Sequence, residues 1–414
     1  MPLTIIIAIF CILTNLQEVL IQRAGLSFLS SLDEAFCLLA YIIIPITVRK
    51  KRDAWLYLIL LIPIISVLHG TIINTFVFSQ DRLTQVFLQS IINFKLFFYF
   101  AIFYCAQNKN EEKSAYPKIF LICVAISLLG YAANLYSPEF FIFSDAAWQI
   151  ERNRISGFQL KPNDLAILLG FALIYCLFLN IESRLKFLLI TTLLLLVYAT
   201  SSRTALIFSA LSIATYFFLA KKRKITLTAF YIALIVSLTF YENILNSFFI
   251  SETLLNLSQL SEINQTQYIR AIMVYYGFLL AAMYPLGVGA GNFGTVMSAN
   301  SPAYEVLGVS KSYFFYNMTG IYDSNLAAVI GEYGILGLVI FYILTRKTLK
   351  HTLKDNPIKI RILLISIIIL ALTQPIYAYQ VNAVNFLLLT FSLRNLGEKR
   401  FHSPPPKSAT NGLQ

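Results

Sequence analysis

Long apolar runs recur along almost the whole chain, separated by short polar or basic segments. A membrane-crossing helix needs roughly 20 mostly apolar residues. Runs of that kind lie at about 3–22, 33–48, 54–73, 84–106, 117–136, 164–181, 186–201, 203–220, 225–243, 325–345, 362–379 and 381–394. The pattern predicts an all-α, polytopic transmembrane bundle of about twelve helices. It forms a single domain over 1–394, followed by a tail at 395–414. Two longer stretches interrupt the rhythm, at about 137–163 and 244–324.

The distribution of positive charge orients these runs, because Lys and Arg concentrate in cytoplasmic loops. The clusters Arg49-Lys50-Lys51-Arg52 and Lys221-Lys222-Arg223-Lys224 therefore belong inside. The 107–118 loop, the 182–185 turn, the 346–361 loop and the tail fall on the same side, which then holds most of the 32 Lys and Arg residues. Both termini are expected to be cytoplasmic and the two long loops external. Residues 271–286 are apolar enough for a further span, but a crossing there would carry the basic 346–361 loop outside. An amphipathic or re-entrant helix within a long, partly helical external loop is the preferred reading. Structured loops of this length are usually functional. The start, MPLTIIIAIF, lacks a basic n-region and a small-residue cleavage site, and reads as a retained first helix.

Composition agrees with a membrane domain. Hydrophobic residues make up 58% of the chain and charged residues 13%, against roughly 25% charged in soluble domains; mean hydropathy is +0.71. The net charge of +12 does not point to a nucleic-acid partner, because it resides in short clusters between apolar runs. The bilayer is the partner it serves. Cys11, Cys37, Cys105, Cys123 and Cys176 all fall inside apolar segments and give neither a disulfide framework nor a metal spacing. His69, His351 and His402 do not cluster, so no metal site is expected. The glycine-rich PLGVGAGNF at 285–293 has no Lys-Ser/Thr after it and is not a nucleotide-binding loop; it reads as a tight turn. No Gly-x-Ser-x-Gly nucleophile motif is present.

The basic residues left outside are Arg23, Arg82, Arg152, Arg154, Lys161, Arg203, Arg270 and Lys311. Three of them sit at helix ends or on the loop helix: Arg154 in RISGFQLKPNDLA, Arg203 in SSRTA and Arg270 in QYIRAIMVYYGF. Guanidinium groups keep their charge and bind phosphate oxygens two at a time, so the three make a clamp for phosphate or pyrophosphate. The competing reading is an arginine that snorkels to the interface. Ser201 and Ser202 can cap the 203–220 helix, whose free N–H groups also favour an anion. Asp323-Ser324-Asn325 reads either as an N-cap or, with Asp323 as general base, as part of a reaction centre. Glu332 and Lys95 are charges within spans and could pair with one another, while Gly331, Gly334 and Gly337 permit close helix packing.

Taken in order, RISGFQLKPNDLA, SSRTALI, Arg270 followed by PLGVGAGNF, and SNLAAVIGEYGILG resemble the O-antigen polymerase and ligase superfamily across about 150–345. The resemblance implies a metal-independent membrane glycosyltransferase of the C-type (GT-C) fold in a bacterial inner membrane, needing no cofactor. Its substrates would be glycans on undecaprenyl pyrophosphate, handled at the periplasmic face for lipopolysaccharide synthesis. Arg203 and Arg270 match the family's pyrophosphate arginines, with Arg154 a third. Ser202, Asn163, Asn325 and Glu332 are supporting residues, and a polysaccharide chain-length regulator is a partner. Ligases of the family carry a histidine near the end of the long loop. Here the matching stretch reads Tyr322-Asp323-Ser324-Asn325, which favours a polymerase. The alternatives are a ligase that transfers glycan to lipid A–core and, in another class, a glycolipid transporter or flippase.

Overall fold

The computed structural model describes residues 3–51, 53–107, 115–141, 154–219 and 269–394, with positions 255, 258 and 396. The expected span at 225–243 and nearly all of the tail lie outside the described residues. All regular elements among the described residues are helical. In chain order the helices begin with α1 (Leu3–Ala24), α2 (Leu32–Lys51), α3 (Tyr57–Ile72), α4 (Leu83–Asn93), α5 (Lys95–Ala106) and α6 (Tyr116–Tyr136). Next come α7 (Pro162–Phe178), α8 (Ser183–Ala199), α9 (Arg203–Leu219) and α10 (Ile269–Met283). The short α11 (Pro302–Val306) and α12 (Tyr313–Tyr316) precede α13 (Asn325–Leu353), α14 (Pro357–Thr373) and α15 (Gln380–Leu393).

Each expected run that is described contains helix, but the lengths differ from expectation. Five segments are long and apolar enough to cross a membrane: Leu3–Ala24, Ser27–Val48, Ala54–Val77, Tyr116–Tyr136 and Asn325–Leu353. A sixth is formed if α4 and α5, bent by 49°, count as one broken span. Helices α7, α8, α9 and α14 have 17 residues each, about 26 Å of rise. The run at 362–379 stops being helical at Thr373 because Pro375 follows: Gln374 is extended (φ −146°, ψ 150°), as a residue before proline prefers.

The bundle is built outward from three helices. Almost every residue of α7 is buried, as are all of α15 and Lys95–Phe103 of α5, as expected for helices apolar on every side. Helix α15 packs against α5, α6 and α7. The outer helices turn apolar side chains outward: Leu61, Ile64 and Leu68 on α3, Phe187, Leu188 and Leu195 on α8, and Ile335, Leu336 and Ile343 on α13 are exposed. Apolar surface of this extent suits lipid rather than water, and the chain is a membrane protein. Within lipid, helices associate through packing and interhelical hydrogen bonds. Asn15 and Asn385 exchange amide bonds of 3.1 and 3.0 Å between α1 and α15.

The segment around 271–286 is the helix α10, and it runs alongside the first half of α13 in the same direction. Arg270 meets Asp323, Gly277 lies against Ala327, and Pro285 reaches Gly334. The chain then turns through the PLGVGAGNF loop, and Gly320 returns to Ile269. Both ends of this excursion therefore lie at the start of α13. The loop docks on a break in α13, where Gly334 has φ 64° and ψ −166°. A Cβ at Gly334 would stand 2.0 Å from the Pro285 carbonyl oxygen, so only glycine fits. A second hydrophobic cluster, including Met273, Tyr276, Phe293, Tyr304 and Phe315, holds α10 to α11 and α12.

Candidate functional site

Residues 374–379 form a turn on which several helix starts converge. The Tyr377 N–H donates to Asn325 Oδ1 at the start of α13 (2.6 Å), and the Tyr377 carbonyl accepts from Leu96 N at the start of α5 (3.2 Å). The Tyr379 hydroxyl meets Lys161, which immediately precedes α7, at 2.9 Å. Asn382 in the first turn of α15 donates to Asp164 in the first turn of α7 (3.2 Å). The starts of α5, α7, α13 and α15 are thus joined at one end of the bundle. Each brings the positive end of its helix dipole.

Arg154 adds α9 to this end. Its guanidinium donates to Asn163 Oδ1 (3.1 Å) and to the carbonyls of Thr200 and Ser201 (3.4 and 3.3 Å). It therefore bridges the first turn of α7 to the turn between α8 and α9. Ser201 takes a left-handed conformation there (φ 56°). Ser202 is fully buried, and its Oγ accepts from Ala205 N at 3.4 Å, the cap expected for α9. Arg203, half-buried, is the first residue of that helix. Four of the anticipated residues, Arg154, Asn163, Ser202 and Arg203, are thus on segments brought to one place.

A second pair lies at the start of α13. Arg270 sets Nε and Nη2 on the same oxygen, Asp323 Oδ2, at 3.2 and 2.7 Å. Both side chains are 30% exposed. The capping role belongs to the next residue: Ser324 Oγ accepts from Ala327 N. Asp323 is left for its arginine, and an anion that takes the Nε and Nη2 donors of Arg270 displaces this carboxylate.

Between the two groups sits an arrangement that the sequence reading did not single out. Lys161 Nζ donates to Glu18 Oε1 on α1 (2.7 Å) and to the Tyr379 hydroxyl (2.9 Å), and lies 4.8 Å from the Tyr379 ring centre. Burial disfavours the Lys161 charge, but Asp164 and Glu18 outweigh it, so the ammonium is held above its ordinary range. Tyr322, beside Asp323, is close enough to act on the same charge. A carboxylate at position 18 inside an apolar run, and the Lys-Pro-Asn-Asp order at 161–164, were the available signals.

Glu332 lies away from this end and performs a different task. Fully buried, it accepts from Gly291 N (2.6 Å), Asn93 Nδ2 (2.6 Å) and Thr295 Oγ1 (3.1 Å). It anchors the glycine-rich loop to α13 and α4. Arg82 fastens the far side of that loop through the carbonyls of Gly291, Met297 and Ala299. The expected option of a Lys95–Glu332 pair is corrected: Lys95 pairs with Asp33 and Glu34 of α2 instead. Lys95 opens α5 after the bend at Phe94, which points it toward α2, while Asn93 is drawn to Glu332. No group of three or more His, Cys, Asp or Glu side chains among the described residues could hold a metal ion. Compared with known proteins, the chain matches no family model and no curated protein.

Proposed function

We propose that the chain is an O-antigen polymerase of GT-C architecture, with about twelve spans, in a bacterial inner membrane. Both termini would face the cytoplasm, and the end bearing the converging helix starts would face the periplasm. The return of α10 to the start of α13 supports the re-entrant reading on which this topology depends. The observation that carries the proposal is the placement of Arg154, Asn163 and the start of α9 at the same end of the bundle as Arg270 and Asp323.

The reaction joins two undecaprenyl-pyrophosphate-linked glycans. A terminal hydroxyl of the acceptor repeat unit attacks the anomeric carbon of the growing donor chain. The bond from that carbon to the pyrophosphate oxygen breaks, and undecaprenyl pyrophosphate leaves with the electron pair. Arg203 and Arg270, with Arg154 beside them, stabilise the developing negative charge, an electrostatic task worth about 10²–10³ in rate per donor. Asp323 takes the proton from the acceptor hydroxyl once Arg270 has moved onto phosphate. The pairing of Asp323 with Arg270 supports this coupling, since one ligand would charge the clamp and release the base together.

Replacing Arg203 or Arg270 by alanine is expected to abolish long chains in a lipopolysaccharide gel while leaving single repeats on core. A normal ladder from both variants sinks the assignment. Deletion of the gene separates the rivals. A polymerase loss leaves one repeat on core and a ligase loss leaves none. A transporter would move glycolipid across proteoliposomes without lengthening it.

A further inference from the structure

Glu18 and Lys161 are bonded to one another at the same end of the bundle as the proposed base, and Tyr322 is next to that base in sequence, yet none of the three takes part in the scheme above. Lys161 and Glu18 are bonded at 2.7 Å, with side chains 43% and 22% exposed, so the pair sits at the surface of the site and not in its core. Behind it, the Tyr379 hydroxyl holds the ammonium, and Asn382 donates to Asp164, both of them buried. Tyr322 is 42% exposed, next in sequence to Asp323 and three residues before Asn325, which the 374–379 turn joins to Lys161 through Tyr377 and Tyr379.

The local charge decides which ligand this patch suits. The exposed surface pairs one ammonium with the Glu18 carboxylate, while Asp164 is buried behind them, so a pyrophosphate would find no surplus positive side chain in this pair. A sugar needs none. Its hydroxyls can donate to a carboxylate and accept from an ammonium at once, and an exposed tyrosine ring offers a flat apolar face beside them. The base must also touch the acceptor hydroxyl, which places the acceptor's terminal sugar next to Tyr322.

We propose that Glu18, Lys161 and Tyr322 form the acceptor-sugar subsite, binding the hydroxyls and one face of the terminal residue of the repeat unit. The subsite rests on the polymerase reading and concerns glycan binding, whereas Arg203 and Arg270 concern pyrophosphate.

The test uses the full chain in nanodiscs and two probes: inorganic pyrophosphate, and the free repeat-unit oligosaccharide cut from its lipid. Glu18→Gln and Lys161→Met are each expected to weaken oligosaccharide binding about tenfold or more, the loss of a hydrogen bond to a charged group, and Tyr322→Ala to weaken it through the lost ring face. Pyrophosphate binding should stay at the wild-type level in all three, and Arg270→Ala should show the reverse pattern. Lys161→Arg, which keeps the donors, should restore most oligosaccharide affinity; a merely structural ion pair would move the unfolding temperature and leave binding unchanged. Wild-type oligosaccharide affinity in the three variants overturns the subsite. So does a loss of pyrophosphate binding in Lys161→Met, or wild-type protein that binds pyrophosphate but no oligosaccharide. Wild-type protein that binds neither probe overturns the polymerase reading itself, and the subsite with it.

Discussion

Arg270 and Asp323 hold one another through two N–H groups on a single carboxylate oxygen. At 30% exposure each, such a pair contributes only about 0–1 kcal/mol, so a doubly charged ligand readily takes the arginine away. Asp323→Asn should therefore cost less than about 1 kcal/mol in thermal unfolding yet reduce elongation by roughly 10²–10⁴-fold, the usual worth of a general base. Ser324→Ala should do the opposite: about 1 kcal/mol of stability lost with the N-cap, and elongation largely kept. Comparing melting curves and glycan ladders of the two variants checks both statements. Arg154 and Arg270 were legible in the sequence because each breaks the charge bias of the loops. The Lys161–Glu18 contact was not, since its partners are 143 positions apart and nothing in the sequence pairs the one with the other.

Helices α4 and α5 would read as one apolar span from their hydropathy alone, yet they bend by 49°. The bend coincides with polar side chains pulled in different directions: Asn93 bonds Glu332, and Lys95 bonds Asp33 and Glu34. Lys95 and Asp33 are buried, so removing one charge strands the other. Lys95→Met is expected to destabilise the protein by about 3–5 kcal/mol, and adding Asp33→Asn should recover much of that in detergent melting experiments. Gly334 gives a second element-level expectation. Alanine there would need a positive φ and would meet the Pro285 carbonyl at 2.0 Å, so Gly334→Ala should unseat the glycine-rich loop, lower the melting temperature and expose 285–294 to proteolysis. The early stop of α14 was readable from Pro375. The α4–α5 bend was not, because no proline or glycine marks it and its cause lies in residues far along the chain in both directions, Asp33 and Glu34 before it and Glu332 after it.

Across the molecule, apolar helices face outward in successive elements while polar contacts gather where α5, α7, α9, α13 and α15 begin. Sequence periodicity exposed the helices and the basic clusters, so fold class was visible from composition and pattern. Which helix starts share an end was not, because that depends on the 374–379 turn, whose Tyr377 and Tyr379 looked like ordinary span residues. The pyrophosphate clamp, proton acceptor and glycan subsite proposed for that end all serve chain elongation. The most direct measurement incubates purified protein, in nanodiscs, with undecaprenyl-pyrophosphate-linked repeat units and resolves the glycans by gel. The account predicts products of two, three and more repeats, lost in Arg203→Ala and Arg270→Ala. Repeat units that stay single with wild-type protein, or a ladder that both arginine variants still produce, would contradict it.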